Sequence, residues 1–589
     1  MQLFNGAILL SLLCFHLVGQ GLLGEFFLKA LIPGWKEAQR EQGGRLFALE
    51  LLLGLLFYLI LILILKSVGV AWWISCFLPY VLTVQLHWRE RFVRTCALPK
   101  QLSWMYLAWI LVHFFLGLSV FDYFGGTLRT AWTNAYGDLP YHIGMISSFV
   151  FGENFPPEQF VFSGEALSYP FFINLWSAVL WFWEPSWYFL SCIFLYQWMI
   201  LWILLWKFAD GDRFPALPWL VLLGGGTFFS LQNNSGAMIS QGLGFTTFLS
   251  TIWIPQRSSV LGIVVATAAL DLFFRWYTDR QQHRNLAVAG LLLGLAPLAH
   301  THICLTVGVF MSLALLFFLF SEKSHIWTRF QQICPFFYFS LCSVYALPFL
   351  LQKKGMITIT YGHFFSPEAL AVNSSLVLFL KNFAVPMILF VFLWGITRRH
   401  AIFLPLLFTF LCGWVLRLSF WGWDHIKVFV ACYVILLMFW REFRLEAPRI
   451  TLLSVPFFIF PTLVEIGTLF NKGDSFTIYS QEYFEAAAMI RRQVPRGAVV
   501  AGAPDHRSPV LLAGRKMYLG YVGWLWSHGI DYKKREQHMK SFLDLFSCEN
   551  EPCVSYIYFD REGRKYWSRN MLPSDRVEKV EGDLYKVLQ

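Results

Sequence analysis

A carboxylate and an imidazole four residues apart, Asp138 and His142 in Gly137-Asp-Leu-Pro-Tyr-His142, follow an apolar stretch. In a helix running on through Val150, that spacing puts both on one face. Such a pair can serve as a general base or hold a metal. The same aspartate also suits a helix cap, with Pro140 in the first turn. Asp122 stands where the preceding apolar stretch ends, ahead of Gly125-Gly126, which would let backbone approach a ligand closely. A helix-end group is its plainer reading. Arg257, in Trp253-Ile-Pro-Gln-Arg257, offers a fork that matches phosphate oxygens, or else the snorkelling arginine of a membrane interface.

Further along, His300 and His302 could form a metal pair, or simply break a helix and bond locally. Asp424 and Lys427, in Trp421-Gly-Trp-Asp424-His-Ile-Lys427, are either an interfacial anchor or part of a polar cavity. Glu153 lies in Gly152-Glu-Asn-Phe-Pro-Pro157, a loop whose Gly and Pro punctuation implies a specific path. Ala513-Gly-Arg515 and Gly523-Trp-Leu-Trp-Ser-His528-Gly529 near the C-terminus read in two ways. They form a cover over a membrane-facing site, or an aromatic-packed domain docking on its own membrane region.

The elements that must position these residues are apolar. Of 589 residues, 57% are hydrophobic, 19% aromatic and 14% charged, with a mean hydropathy of +0.54. An ordinary soluble chain carries about 25% charged residues. Runs of roughly 18 apolar residues can cross a hydrocarbon core of about 30 Å as helices, which satisfy every backbone group internally. The short alternation of a β-barrel is absent. The expected fold class is an all-α polytopic membrane protein with a small C-terminal α/β extramembrane domain. About fourteen spans fall near 4–23, 47–66, 69–87, 102–121, 187–206, 216–232, 258–274, 285–299, 303–320, 333–351, 376–396, 401–417, 427–440 and 450–469.

The formal charge of +10 comes from lysines and arginines in alternate short loops. That is the positive-inside pattern, which points to the lipid bilayer and away from nucleic acid as the partner. Counting the apolar stretch 170–183 as a span would reverse every later basic loop, so it is expected to lie flat as an interfacial or re-entrant helix. Both termini then fall outside, together with 122–186, 233–257, 352–375, 418–426 and the tail from about 471. The first of these loops carries Asp122, Asp138, Glu153, Glu158, Glu165 and Glu184 against Arg129 alone. The tail pattern predicts a helix over 479–493, a strand over 498–501, a helix over 533–546 and a strand over 554–559. The first apolar segment lacks a basic n-region and a small-residue cleavage site, so it is expected to be retained. Nine of the eleven cysteines lie in or next to apolar segments, without metal spacing. Cys548 and Cys553 could close a small disulfide if the tail faces an oxidising compartment.

This order of parts resembles the GT-C superfamily of integral-membrane glycosyltransferases, which use polyprenyl-phosphate sugars. The resemblance rests on Leu102–Phe121 followed by a long loop with Asp138, the flat segment 170–183, further spans and an external tail. Gly137-Asp-Leu-Pro-Tyr-His142, Pro255-Gln-Arg257, Trp423-Asp-His-Ile-Lys427 and Ala513-Gly-Arg515 are also similar to patterns in uncharacterised bacterial GT-C-like membrane proteins. It divides the chain into additional helices at 1–100, a GT-C-like membrane domain at 101–470 and an external α/β domain at 471–589.

The resemblance implies a bacterial plasma-membrane enzyme, a polyprenyl-phosphate sugar donor and a glycan, lipid or protein acceptor. Asp138 would be the base, His142 would orient or share its proton, and Asp122 would shape the acceptor side. Arg257 and then Lys427 would hold phosphate, with Asp424, His300, His302, Glu153, Arg515 and His528 as further substrate contacts. Leu139 follows Asp138, so no paired-acid motif exists there, which puts a divalent metal in doubt. The Trp-Trp-Asp-Tyr-Gly signature of oligosaccharyltransferases is absent. A transporter or flippase of a lipid-linked or anionic solute, and a non-catalytic scaffold, are the alternatives. Transporters favour inverted repeats and midplane charges, whereas the unexplained charges here gather at one face.

Overall fold

The computed structural model describes residues 2–32, 43–87, 103–225, 230–231, 238–239, 247–321, 325–350, 360–361, 374–419, 422–442, 475–541 and 552–588, and isolated helical positions between 456 and 467. The chain is a multi-pass helical membrane protein. Helices α1 (Gln2–Leu31), α2 (Gly43–Ser67), α3 (Trp72–His87) and α4 (Trp104–Val120) form the first part. Then come α5 (Thr133–Gly152), α6 (Phe172–Trp181), α7 (Trp187–Phe208), α8 (Ala216–Leu223) and α9 (Arg257–Thr278). The series continues with α10 (His283–Leu295), α11 (Thr301–Ser321), α12 (Ile326–Ser340), α13 (Ser375–Thr397), α14 (His400–Val415) and α15 (Gly422–Glu442). Serine caps start several of them: the Ser103 hydroxyl accepts from Tyr106 N at 3.2 Å and the Ser186 hydroxyl from Phe189 N at 3.3 Å, satisfying first-turn donors.

Six of the described helical stretches are long and apolar enough to cross a membrane: Ser11–Leu31, Gly44–Ser67, Trp187–Phe208, Arg257–Thr278, Thr301–Phe320 and Ile326–Leu350. Five more are apolar but shorter. The run expected to span 216–232 leaves the helix at Gly224, whose backbone is extended. Most of 450–469 falls outside the described residues. The stretch 170–183 holds a helix of ten residues, about 15 Å long and too short to cross. All ten of its side chains are buried, so it is an internal element rather than one lying against lipid.

Close packing explains several glycines. A Cβ on Gly24 would sit 1.8 Å from the Glu50 carbonyl oxygen, and one on Gly54 1.7 Å from that of Gln20. The α1–α2 crossing therefore tolerates no side chain at either position. Helix α9 is enclosed along its whole spanning window. Its basic-loop end carries Asp271, which is buried and bonded to Arg441 at 2.7 Å and Arg275 at 3.1 Å, with Arg45 of α2 at 3.6 Å. This network ties the first helices to the rest.

Nine residues after α4 form a hairpin instead of an open loop: β1 (Asp122–Phe124) and β2 (Thr127–Thr130) pair antiparallel across Gly125-Gly126. Both glycines have positive φ, +60° and +76°, as a two-residue hairpin turn requires. Two-residue ladders join β3 (Ser230–Leu231) to β4 (Met238–Ile239) and β5 (Thr360–Tyr361) to β6 (Leu416–Arg417). The tail begins with β7 (Phe476–Tyr479), which adds to β2, then α16 (Gln481–Gln493), β8 (Val499–Ala501), α17 (Pro509–Leu512), β9 (Lys516–Met517), α18 (Val522–Ser527) and α19 (Lys533–Ser541). It closes with β10 (Tyr556–Tyr558), α20 (Arg561–Trp567), β11 (Val577–Glu581) and β12 (Leu584–Val587). The sheet order is β11-β12-β10-β8-β9, with β8 parallel to both its neighbours. Cys548 lies outside the described residues, so the expected disulfide has no described geometry.

Candidate functional site

Helix α5 begins at Thr133, and its N-cap is Trp132. Asp138 is therefore an interior helical residue, and the capping explanation for it falls. Asn134, Asp138 and His142 recur every four residues and form one stripe. The Asn134 amide donates to the Ser250 carbonyl at 2.9 Å, and His142 bonds the Pro255 backbone, which has only a carbonyl to offer. Half-buried Asp138 lies on the stripe between these two anchors. Pro140, inside the helix, removes a backbone donor and distorts the preceding turn. The Gly137 carbonyl of that turn accepts from the Trp524 indole at 3.3 Å.

His142 is held on both sides. Its Nδ1 faces the Asn174 Nδ2 at 3.1 Å, and the Asn174 Oδ1 accepts from Arg257 at 3.4 Å, which orients the amide so that Nδ2 donates. Nε2–H then serves Pro255. Burial, with the Arg257 guanidinium adding to it, lowers the His142 pKa to about 3. A neutral ring with both nitrogens occupied braces the Pro255–Arg257 turn. Its contribution to stability is full above about pH 6.5 and declines as pH falls from there toward 3, because the unfolded state binds the proton first. Replacing His142 with phenylalanine strands the Asn174 amide and the Pro255 carbonyl, so thermal unfolding in nanodiscs should show a loss of about 1–3 kcal/mol. Donor consumption in that variant should keep the wild-type pH profile. If a limb near pH 6.5 disappeared with the imidazole, His142 would be the titrating group after all.

Arg257 opens α9 and is 8% exposed. One terminal nitrogen donates to the Asn174 Oδ1; the other donates to the Ser177 hydroxyl at 2.9 Å and to the Gln197 Oε1. The guanidinium stacks 3.4 Å over the Phe194 ring. Every described hydrogen-bond partner is neutral, and no carboxylate pairs with Arg257 among the described residues. Asp271 on the same helix is fourteen positions on, about 21 Å away at 1.5 Å per residue. The positive end of the α9 dipole adds to the uncompensated charge. The Gln197 Nε2, buried beside it, has no hydrogen-bond partner among the described residues. Asn174, Ser177 and Gln197 were not singled out from sequence. Their signal was polarity inside otherwise apolar runs, which within a membrane domain marks a functional interior.

A second group lies along the same end of α9. A Cβ on Gly262 would come within 2.3 Å of the His300 Cβ, so this glycine lets the turn before α11 seat His300 against α9. The His300 Nδ1 accepts from Ile303 N at 3.3 Å, capping α11. Its ring centroid is 6.0 Å from that of His302, and buried Lys427 lies within its electrostatic reach. Lys427 belongs to the first turns of α15, inside the helix rather than in an interfacial loop. His425 bonds the Gly413 carbonyl at 2.6 Å and accepts from Leu418 N at 3.2 Å. The backbone of Asp424 is in α15; its side chain is outside the described set. Among the described residues no three His, Cys, Asp or Glu side chains gather into a metal-holding group.

Other expected contacts lie elsewhere. Asp122 is exposed on the hairpin, opposite Arg129, and Gly125-Gly126 serve the turn, not a ligand. Glu153 caps the far end of α5 with φ +49° and pairs with Arg496 at the surface. It stands fifteen positions from Asp138, about 22 Å along the helix. Arg515 spends its donors on the carbonyls of Val494 at 2.8 Å, Phe151 at 3.0 Å, Ala513 at 3.1 Å and Arg491 at 3.0 Å. Phe151 is in the last turn of α5 and Arg491 in that of α16, so the guanidinium suits the negative ends of both helices. Gly514, at φ +70°, packs so tightly that a Cβ would lie 2.3 Å from the Ser147 carbonyl oxygen. Ala513-Gly-Arg515 is thus a clamp between tail and α5. Arg515→Lys keeps the charge without the fork and should lose about 1–3 kcal/mol per stranded carbonyl. Limited proteolysis should then release the tail faster than from wild type.

Of the expected tail contacts, Arg515 and His528, it is His528 that lies near the stripe. It lies within electrostatic reach of His142, with its ring 5.2 Å from Tyr141 and 5.3 Å from Tyr169. Trp524 packs 5.1 Å from Tyr141. The tail docks through aromatic contacts and, by the same contacts, covers the middle of α5. No family model matches this chain, and no curated protein matches it. Solved structures similar to it include the archaeal oligosaccharyltransferase AglB from Archaeoglobus fulgidus in complex with an inhibitory peptide and a dolichol-phosphate, at 13% identity and TM-score 0.45, covering 77% of this chain and 70% of that one. Another is the apo form of the Archaeoglobus fulgidus oligosaccharyltransferase, at 12% identity and TM-score 0.43, covering 77% and 69%.

Proposed function

We propose that this chain is a membrane glycosyltransferase that takes a sugar from a polyprenyl-phosphate-linked donor at the Arg257 end of α9. The observation that carries the reading is Arg257 itself: a buried guanidinium, on neutral acceptors, at the positive end of a helix. A cation taken out of water without a counter-charge is costly, and an anionic ligand supplies what it lacks. Helix N-termini and arginine forks both favour phosphate.

In this reading, the Asp138 carboxylate takes the proton from an acceptor hydroxyl. That oxygen bonds to the anomeric carbon while the bond from the anomeric carbon to the phosphate oxygen breaks, and the electron pair leaves with the lipid phosphate. Arg257 and the first amides of α9 stabilise the charge that grows there, where a preorganised donor set is most effective. Lys427 and His300 are the next cationic or polar groups along that face. An apolar cavity lined by Phe248, Phe383, Phe390, Phe410, Phe429 and Tyr433 begins at Ile426, beside Lys427, and its chemistry suits an isoprenoid chain.

Purified protein in lipid should release polyprenyl phosphate from a polyprenyl-phosphate sugar in the presence of an acceptor. Passage of an anionic solute across proteoliposomes with no donor consumed would replace this reading with a transporter.

A further inference from the structure

The tail holds a second crevice, beyond the point where His506 packs 5.1 Å from Tyr136 of α5. It opens at the carboxyl ends of β8 and β10, which are parallel neighbours. After β8 the chain crosses to β9 on one side; after β10 it passes through α20 to β11 and β12 on the other. The strand order reverses between them, and ligands of open α/β sheets bind outside the carboxyl ends at such a point. Tyr483 of α16, Asp505, Arg507, Tyr558, Asp560 and Glu562 line the crevice.

These groups combine three carboxylate acceptors with the Arg507 guanidinium, which lies 3.7 Å from Asp505, and two tyrosine hydroxyls. Asp505 takes the Arg507 backbone N–H at 2.6 Å and Asp560 takes that of Gly563 at 2.8 Å, leaving one oxygen of each carboxylate for other partners. Burial, together with Asp583, Glu562 and Asp505, holds the Asp560 carboxyl above its usual range. Tyr479 is fully buried and its hydroxyl has no hydrogen-bond partner among the described residues. That hydroxyl lies within electrostatic reach of Asp505, Tyr483 and Arg507. Carboxylates beside tyrosine rings match a ligand with many hydroxyl donors and a flat apolar face, which is the chemistry of a pyranose.

We propose that this crevice binds a sugar residue of a glycan, as a site separate from the one that consumes donor. The proposal stands without the transferase reading, because binding is measured with no lipid donor present. The full-length protein in nanodiscs is applied to an array of immobilised neutral and N-acetylated oligosaccharides. The comparison is Asp560→Asn combined with Glu562→Gln, in which asparagine still caps α20. Wild type should retain a subset of the saccharides and the double variant should lose at least tenfold in affinity, with an unchanged unfolding midpoint. Retention of none by wild type, equal retention by the variant, or uptake of Ca2+ without any saccharide would each overturn the assignment. Donor consumption at Asp138 should be the same in both proteins when a short acceptor is used.

Discussion

Replacing Arg257 with glutamine is expected to lower polyprenyl-phosphate release by about 10²–10³-fold, the usual loss when one preorganised donor to a developing anion is removed. Glutamine is neutral and still offers an amide to Asn174, Ser177 and Gln197, so the local bonds largely survive. The folded protein should be no less stable than wild type, because the change removes a buried cation that has no described carboxylate partner, and unpaired buried charge is expensive. Arg257→Lys should fall between the two, keeping the charge while losing the fork. The measurements are product release and thermal unfolding on the same preparations. Activity and stability lost together would mark Arg257 as a structural residue instead, and wild-type turnover in the glutamine variant would remove it from the reaction.

Asp138→Asn is expected to lower turnover by about 10²–10⁴-fold, the range for a missing general base, while donor binding is retained. The separation of these two effects is the point of the variant. Asp138 is an interior residue of α5, and Trp132 holds the cap position, so asparagine takes no stabilising cap away. Rates at saturating donor, together with donor affinity measured directly, distinguish a chemical role from a binding one. An Asp138→Asn protein that binds donor poorly and reacts normally once saturated would assign the carboxylate to binding.

Much of the architecture was legible because apolar runs act locally. The starts of α4 and α7, the helix α16 and the strands β8 and β10 all fall where the pattern puts them. Crossing could not be read from apolarity alone. The 170–183 stretch is apolar because it is buried among other helices, and a buried helix and a lipid-facing one have the same composition. The hairpin at 122–130 was missed because its strands are only three and four residues long, and the strand that extends it, β7, comes from the distant tail, a pairing no local window contains.

The site was legible in its charges and illegible in its neutral partners. Arg257 stood out because the positive-inside rule did not explain it, and the structure leaves it with neutral partners. His142 shared a face with Asp138 as expected, yet its ring is consumed by Asn174 and Pro255. Arg515 and Glu153 looked like substrate contacts because density of Gly and charge marks close backbone packing as well as binding. Here Gly514 and Arg515 join the tail to the end of α5.

The most direct test is titration of polyprenyl monophosphate, the leaving group common to all such donors, into wild-type protein and Arg257→Gln in nanodiscs, with the unphosphorylated prenol as control. Saturable binding of the phosphate to wild type, its loss in the variant and no saturable binding of prenol to either are the predicted results. Equal binding of the phosphate by both proteins, or prenol binding as well as the phosphate does, would contradict an anion site at Arg257.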